Sequence, residues 1–350
     1  TERSRCGDLQ NELSNAGSSL TCVAEHAGVS AMTVSRVLNQ PNKVAEATRQ
    51  KVEASLDALG YVPNLAANTL RRERSGVIVA MVPTVENSIF SDTIQGISDI
   101  LEAAGYQLLL GCTSYDLEKE EKLTRAFLGR RPDGIILTGV SHTDTTRALL
   151  ENAGVPIVEM WDFSDQCSEN CVGFDNYKAG YEIARYMLEC GYENIGLVAT
   201  TLEHEAHEFR AAKRSAGIYA AFRDANRPAP LRRNVSDPLA IDECGATAAD
   251  FVAANPEFDA IICSSEVLGV GAIKELHGRG WQIPEKISVA GIGDANIAGL
   301  VHPGLTTIKI PGKRIGERSA EILVERLRGS HDLAIQEDIG FQLVVRGSTK

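Results

Sequence analysis

Apolar positions along the chain follow two regimes. Up to about residue 60 they recur at helical spacing in short segments: Val23, Val29, Val34, Val37 and Leu38, then Val52, Leu56 and Leu59. The first group predicts two short helices joined by a turn at Gly28, and residues 44–59 predict a third helix that closes a small core and stops at Gly60. From Gly76 the pattern changes to nearly continuous apolar runs at 76–83, 106–112, 134–137, 156–160, 195–199, 260–263 and 287–291. Parallel strands covered on both faces read this way. Amphipathic stretches at 89–104, 117–128, 178–190, 212–224 and 267–277 alternate with them. That alternation predicts a doubly wound α/β body, and its length predicts two lobes with a ligand cleft at the carboxyl ends of the strands.

The expected organisation is a leader at 1–17, an all-α helix-turn-helix domain at 18–62, a hinge and linker at 63–74, and a two-lobed α/β body at 75–350. Pro63 stops the third helix, and residues 65–70 form less than two turns, too short to hold as an isolated helix in water. Such a segment needs DNA or a second copy of the chain to order it.

Two short helices around a glycine turn are the unit that lays its second helix in the DNA major groove. Ser30 stands where a helix N-cap is wanted. At 100° per residue, Met32 and Arg36 lie opposite Val34, Val37 and Leu38. An outward Arg forks onto guanine O6 and N7. A helical hairpin inside some other core is the competing reading of the same pattern.

Charge bears on that choice. The 350 residues carry a net charge of −12, which DNA would repel. Residues 18–74, however, hold seven Lys and Arg against five acids, and residues 75–350 carry −13. A small basic module is attached to a large acidic body.

The eight cysteines have no repeating spacing, and Cys167 and Cys171 are the nearest pair, without a second pair to complete a zinc site. With no apolar run of about 18 residues and no secretory leader in view, they are expected to be reduced thiols of a cytoplasmic protein, with no membrane contact. Catalytic signatures are missing as well. Gly269-Val270-Gly271 lacks the third glycine of a dinucleotide fingerprint, and His204 and His207 stand at i, i+3 rather than the i, i+4 of a zinc-protease helix. The run from Glu203 to Glu208 therefore reads as a solvated charged loop. Neither a cofactor nor a metal is expected, and an enzyme is the less favoured class.

Four further groups of residues carry a family resemblance: Val23-Ala24-Glu25-His26-Ala27-Gly28-Val29-Ser30, Thr33-Val34-Ser35-Arg36-Val37-Leu38-Asn39, Gly60-Tyr61-Val62-Pro63-Asn64 and Leu305-Thr306-Thr307-Ile308. Over residues 18–350 the chain resembles the lactose-repressor (LacI) family of bacterial regulators. Val82-Pro83-Thr84, the segment 157–162 and Val172-Gly173-Phe174-Asp175-Asn176 are most similar to its gluconate-operon branch.

The resemblance implies a homodimer that binds a pseudo-palindromic double-stranded operator and a body like periplasmic sugar-binding proteins. It implies that Ala31, Met32 and Arg36 face bases, that Ser19, Thr21, Thr33, Ser35 and Asn39 position the backbone, and that Leu70 wedges into the minor groove. Leu70 as an apolar cap on the body is the alternative.

For a sugar or sugar-acid effector, the resemblance implies Arg214, three residues before Gly217, with Arg210 one turn earlier and Phe90 against the ligand. Glu159, Asp162 and Asp175 offer acceptors or else serve as helix caps. Two departures stand out. Ser265-Glu266 replaces a common Asn-Asp pair, and Gly293 occupies a usual Asp position with Asp294 beside it. Ser265, Glu266 and Asp294 complete the expected effector set. A sugar-binding protein of the same body fold is the rival function, and it leaves the helix-turn-helix without a use.

Overall fold

The computed structural model describes residues 19–62, 74–86, 88–235, 241–330 and 334–350. The chain divides after Ser75 into two units.

In the first unit, helix α1 (Leu20–Ala27) starts at Ser19, whose hydroxyl accepts the Cys22 N–H, and ends at Gly28 in a left-handed turn. Helix α2 (Ala31–Asn39) starts at Ser30, whose hydroxyl accepts the Thr33 N–H at 3.2 Å. A short 3₁₀ turn over Pro41–Lys43 leads to α3 (Glu46–Ala58). This third helix begins two residues later than the apolar spacing suggests, because Val44 is still extended. Val23, Ala24, Val34, Val37 and Val52 are buried together, with Leu20, Val29, Leu38 and Leu56 packed on them. So few residues fix the fold that each helix depends on the other two for its apolar contacts.

The second unit is two lobes. The first begins with β1 (Val77–Val82), α4 (Ser91–Ala103), β2 (Gln107–Cys112), α5 (Leu117–Leu128), β3 (Gly134–Thr138), α6 (Asp144–Glu151), β4 (Ile157–Met160) and β5 (Asn170–Gly173). The second comprises α7 (Asn176–Glu189), β6 (Ile195–Thr200), α8 (Leu202–His207), α9 (Phe209–Asp224), β7 (Leu231–Val235), α10 (Ile241–Ala254), β8 (Ala260–Cys263), α11 (Glu266–Gly278), β9 (Ser288–Ile292), α12 (Asn296–Leu300) and β10 (Thr306–Lys309). The chain then returns to the first lobe with α13 (Gly312–Leu327) and β11 (Ile335–Asp338), and to the second with β12 (Gln342–Val344). Sheet orders are β11-β5-β4-β3-β1-β2 and β12-β10-β9-β8-β6-β7, parallel throughout except for β12 against β10. Central strands such as β3 and β8 are buried and apolar, as helices on both faces require.

The chain thus crosses between lobes three times, after β5, β10 and β11. A single buried cluster runs through both lobes, from Ile97, Ile136 and Phe174 to Ile183, Leu197 and Ile262. Helices α7 and α9 cross at very short range, since a Cβ at Gly180 would overlap the Arg214 carbonyl and one at Gly217 the Tyr177 carbonyl. Gly217 therefore seats the helix that carries Arg214.

Two expectations are corrected. The Glu203 to Glu208 run is not a solvated loop: it forms α8, with Glu205 and Glu208 buried because each pairs with an arginine. The cysteines are not all reduced, because Cys167 and Cys171 are paired in a disulfide, their Cα atoms 5.8 Å apart across the loop between β4 and β5. The anticipated hinge at 65–70, with Leu70, lies outside the described residues. Among the described residues, no helix is long and apolar enough to cross a membrane, and no His, Cys, Asp and Glu cluster is fit to hold a metal ion.

Candidate DNA interface and effector site

Helix α2 presents Ala31, Met32 and Arg36 to solvent on the face opposite buried Val34 and Val37. Met32 is 72% exposed, an unusual setting for a large apolar side chain unless it meets a partner. Arg36 has no side-chain hydrogen bond or ion pair among the described residues. Ser19 and Thr21 are also exposed, at the start of α1. Thr33, Ser35 and Asn39 are half-buried: the Thr33 hydroxyl lies 2.9 Å from that of Ser30, and the Asn39 amide donates to the Ser35 carbonyl at 2.8 Å. Nearby, His26 Nδ1 lies 3.0 Å from the Ser55 hydroxyl, which ties α1 to α3. The result is a rigid helix with a short outward row of Met and Arg.

In the body, the cleft lies where carboxyl ends of strands from both lobes meet. Pro83 and Thr113, just past β1 and β2, face Glu208 and Arg210 at the start of α9, with Asp162 beside them. The space between them, open to solvent, is about 40 Å³, room for a few waters. Arg210 forks onto Glu208 with Nε and Nη2 at 2.8 and 2.7 Å, and its guanidinium sits 5.8 Å above the Phe90 ring. Burial pushes the Glu208 carboxyl up, but the charge and hydrogen bonds of Arg210, with the charges of Arg214 and His204, together hold it below the usual range.

Asp162, almost fully buried, bonds Lys213 Nζ at 2.6 Å and accepts the Phe163 N–H at 2.9 Å. Because Asp162 follows β4 and Lys213 lies on α9, this ion pair fastens one lobe to the other. Arg214 donates through Nη1 to Asn176 Oδ1 at 2.9 Å, and its buried Nε has no partner.

Aromatic packing builds the remaining wall. Trp161, with φ +73, turns its ring against Phe90 at 4.8 Å between centroids and donates Nε1–H to Thr93 at 3.1 Å. A positive φ at a tryptophan is strained backbone, held here by that packing.

At the carboxyl ends of β8 and β9, Glu266 is 1% exposed, and neither of its carboxyl oxygens has a hydrogen-bond partner among the described residues. Burial raises it to about 7; the nearby Ala295 N–H and Arg214 pull it down, and Asp294 pushes it up. Asp294 itself is paired with Arg346 at 2.6 Å.

Of the expected effector residues, Asp162 and Arg210 line the cleft, Phe90 packs beneath the Arg210 guanidinium, and Arg214 stands near Glu208 and Glu266. Of the remaining members, Asp175, Ser265 and Glu159 have local partners. Asp175 caps α7 by accepting the Lys178 N–H, and Ser265 caps α11 by accepting the Leu268 N–H. Glu159 points to the other side of the first sheet: its Oε2 accepts the Ser168 N–H at 2.8 Å and its Oε1 lies 3.4 Å from His142 Nε2. It lines a separate open groove of about 950 Å³ with Arg147, Asn170 and Arg326. The His142 ring is buried between Glu159 and Glu120, 2.6 Å from the latter. Burial opposes its charge, but the two glutamates prevail and raise it to about 9.

Sequence reasoning passed over Glu208, Lys213 and Asn176. Lys213 was within reach, since it stands three residues after Arg210 on the same helix face. Glu208 was hidden inside a charge run.

Comparison with known proteins follows the same division. Residues 19–64 match the family described as bacterial regulatory proteins, lacI family, and residues 75–342 match periplasmic binding proteins and sugar binding domain of LacI family. The chain is 31% identical over 329 residues to the HTH-type transcriptional regulator GntR of Escherichia coli strain K12, covering 93% of this chain and 97% of that one. It is 32% identical over 344 residues to GntR of Pseudomonas aeruginosa, covering 97% and 98%. A crystal structure of a LacI-family transcriptional regulator from Silicibacter pomeroyi superposes with a TM-score of 0.89 at 30% identity, over 95% of this chain and all of that one.

Proposed function

The chain belongs to the LacI family of DNA-binding transcriptional regulators, and from that premise we propose that it is a repressor whose grip on DNA is switched by a sugar acid. In this reading a homodimer in the cytoplasm binds a pseudo-palindromic operator. Met32, Arg36 and Ala31 meet base edges, while Ser19, Thr21, Thr33, Ser35 and Asn39 hold phosphates. The connection at 63–74, Leu70 included, carries lobe movement to the DNA-binding module.

The observation that carries the DNA reading is the Arg36 guanidinium, exposed on the outward face of α2 and without a side-chain partner among the described residues. For the effector, a gluconate-like acid suits a cleft with three cations on one helix, Arg210, Lys213 and Arg214. The space of about 40 Å³ between these residues is smaller than six carbons need, so in this reading the ligand enters with the lobes further apart. A ligand that prefers one lobe arrangement shifts the population that binds DNA by its difference in affinity for the two.

Selection from random duplexes, followed by fluorescence anisotropy, tests the reading. A palindromic site should emerge, with affinity falling steeply as salt rises. Arg36→Ala should weaken that site roughly tenfold to a hundredfold, which corresponds to about 1–3 kcal/mol for a bidentate base contact, and leave gluconate-induced thermal stabilisation intact. Arg214→Ala should do the reverse. Parallel loss of both activities in either variant refutes the modular assignment.

A further inference from the structure

The Cys167–Cys171 pair sits against the residue that ties the lobes together. Its loop leaves β4 through Asp162, whose Oδ2 holds Lys213 Nζ of α9 at 2.6 Å, and re-enters the sheet at β5. Cys171 Sγ lies 3.1 Å from the Asp162 carbonyl oxygen and Cys167 Sγ 4.0 Å from it. On its other side that carbonyl abuts Gly173, where a Cβ would overlap it. The Asp162 backbone is thus held between the two sulfurs and β5.

The two cysteines differ in access. Cys171 is fully buried in β5, whereas Cys167 is half-buried in a loop whose Asp165, Gln166 and Glu169 are exposed. A reagent arriving from solvent meets Cys167 first, and Cys171 stands behind it with its Cα 5.8 Å away. Closing so short a loop removes little chain entropy, and β5 is already paired with β4 and β11, so the bond adds little to global stability. In a reducing compartment a disulfide of this kind is transient and carries a signal.

Taking as premise the reading above of a regulator that works in the cytoplasm, we infer that Cys167–Cys171 is a reversible thiol–disulfide site by which oxidant strengthens the Asp162–Lys213 tie and favours closed lobes. The oxidant is a low-molecular-weight disulfide such as oxidised glutathione. The Cys167 thiolate attacks one of its sulfurs and expels one glutathione thiolate, and the Cys171 thiolate then displaces the second from Cys167. Two cysteine thiols lose two electrons and two protons, and one glutathione disulfide becomes two glutathione thiols. Reduction reverses the exchange and parts the sulfurs from about 2 Å to nearly 4 Å, the van der Waals distance. Cys171 is fixed in the sheet, so Cys167 and its loop move outward. Asp162 moves with them, away from Lys213.

The test uses the full-length protein equilibrated in reduced or oxidised glutathione, alkylated, and mapped by mass spectrometry, with the tie read by hydrogen exchange. The pair should interconvert between thiol and disulfide. Reduction should speed exchange about tenfold at the Phe163 amide, which donates to Asp162 Oδ1, and in α9 around Lys213. Cys167→Ser should exchange at the fast rate in both buffers, while Cys190→Ser, which removes an exposed cysteine elsewhere, should respond as the wild type does. Lys213→Met should still form the disulfide but lose the response in α9, and Lys213→Arg, which keeps a cation for Asp162, should retain it.

A pair that stays in one form in both buffers, exchange in α9 that is the same in the two forms, or a response undiminished in Lys213→Met would overturn the inference. None of these results touches the DNA and effector readings, which the operator selection and the gluconate measurements decide separately.

Discussion

On the outward face of α2, Arg36 carries its charge with no side-chain partner among the described residues, while in the body Arg210, Lys213 and Arg346 each have a carboxylate oxygen within 2.7 Å. Water explains the difference. An exposed guanidinium is solvated and can wait for DNA without cost, whereas a buried charge must be paired inside the protein or lose several kcal/mol. An unpaired group therefore has opposite meanings in the two regions. On the reader helix it is ordinary, and its significance comes from position alone. In the cleft region it is rare: among the described residues most charged groups there are paired, and Arg214 Nε and the Glu266 carboxyl are exceptions.

The largest test of this contrast is Glu208→Ala. It strands Arg210 in a site where both side chains are under a tenth exposed, and the body should lose about 3–5 kcal/mol by calorimetric unfolding. A near-neutral result would mean that water reaches the pair and that the cleft is solvated as the reader is. His142→Gln should have a smaller, pH-dependent effect of about 1–3 kcal/mol. The folded ring is raised to about 9 from 6.5, so its stabilisation is complete below pH 6.5 and disappears as pH passes 9. Melting curves of wild type and variant should converge between those limits. Smallest of all, Arg36→Ala should leave the melting temperature unchanged, within about 0.5 kcal/mol, as expected for an exposed side chain outside any network. A marked loss of stability would show that Arg36 supports the three-helix core.

The strands legible in the sequence were those written as continuous apolar runs. Strands β1, β3, β6, β8 and β9 are apolar runs, and each was expected where it lies. Strands without such a run were missed whether central or at an edge: β5 and β10 lie inside their sheets and were passed over, whereas the edge strand β2 was expected at 106–112. Strand β7, Leu231–Val235, includes two arginines and an asparagine, and β11, Ile335–Asp338, ends in two acids, because one side of an edge strand meets solvent and needs no apolar run. In the DNA-binding module, helical spacing alone marked Val34 and Val37 as inward and Met32 and Arg36 as outward, and burial in the structure follows that division.

The cleft was harder, since carboxylates look alike in a sequence. Asp162 joins the lobes, Asp175 caps a helix and Glu159 supports His142 on the far side of the sheet, and only folding separates these roles. Glu266 and Gly293 were visible as departures from a pattern. That a Cβ at 293 would overlap Glu266 Oε2 follows from space, which no spacing rule records.

The three crossings between lobes have a consequence at the level of the gene. Helix α13 and strand β11 complete the first lobe, although more than a hundred residues of the second lobe precede them in the chain. Neither lobe is a contiguous reading frame. A stop codon shortly after β10 would strip the first lobe of an edge strand and of the helix packed on α4, so a lesion near the end of the coding sequence would damage the beginning of the body. Recombination faces the same limit: a new ligand preference can be acquired only by exchanging the whole body at once or by point substitution within it, while the DNA-reading module, contiguous and separate, can be transferred in one piece.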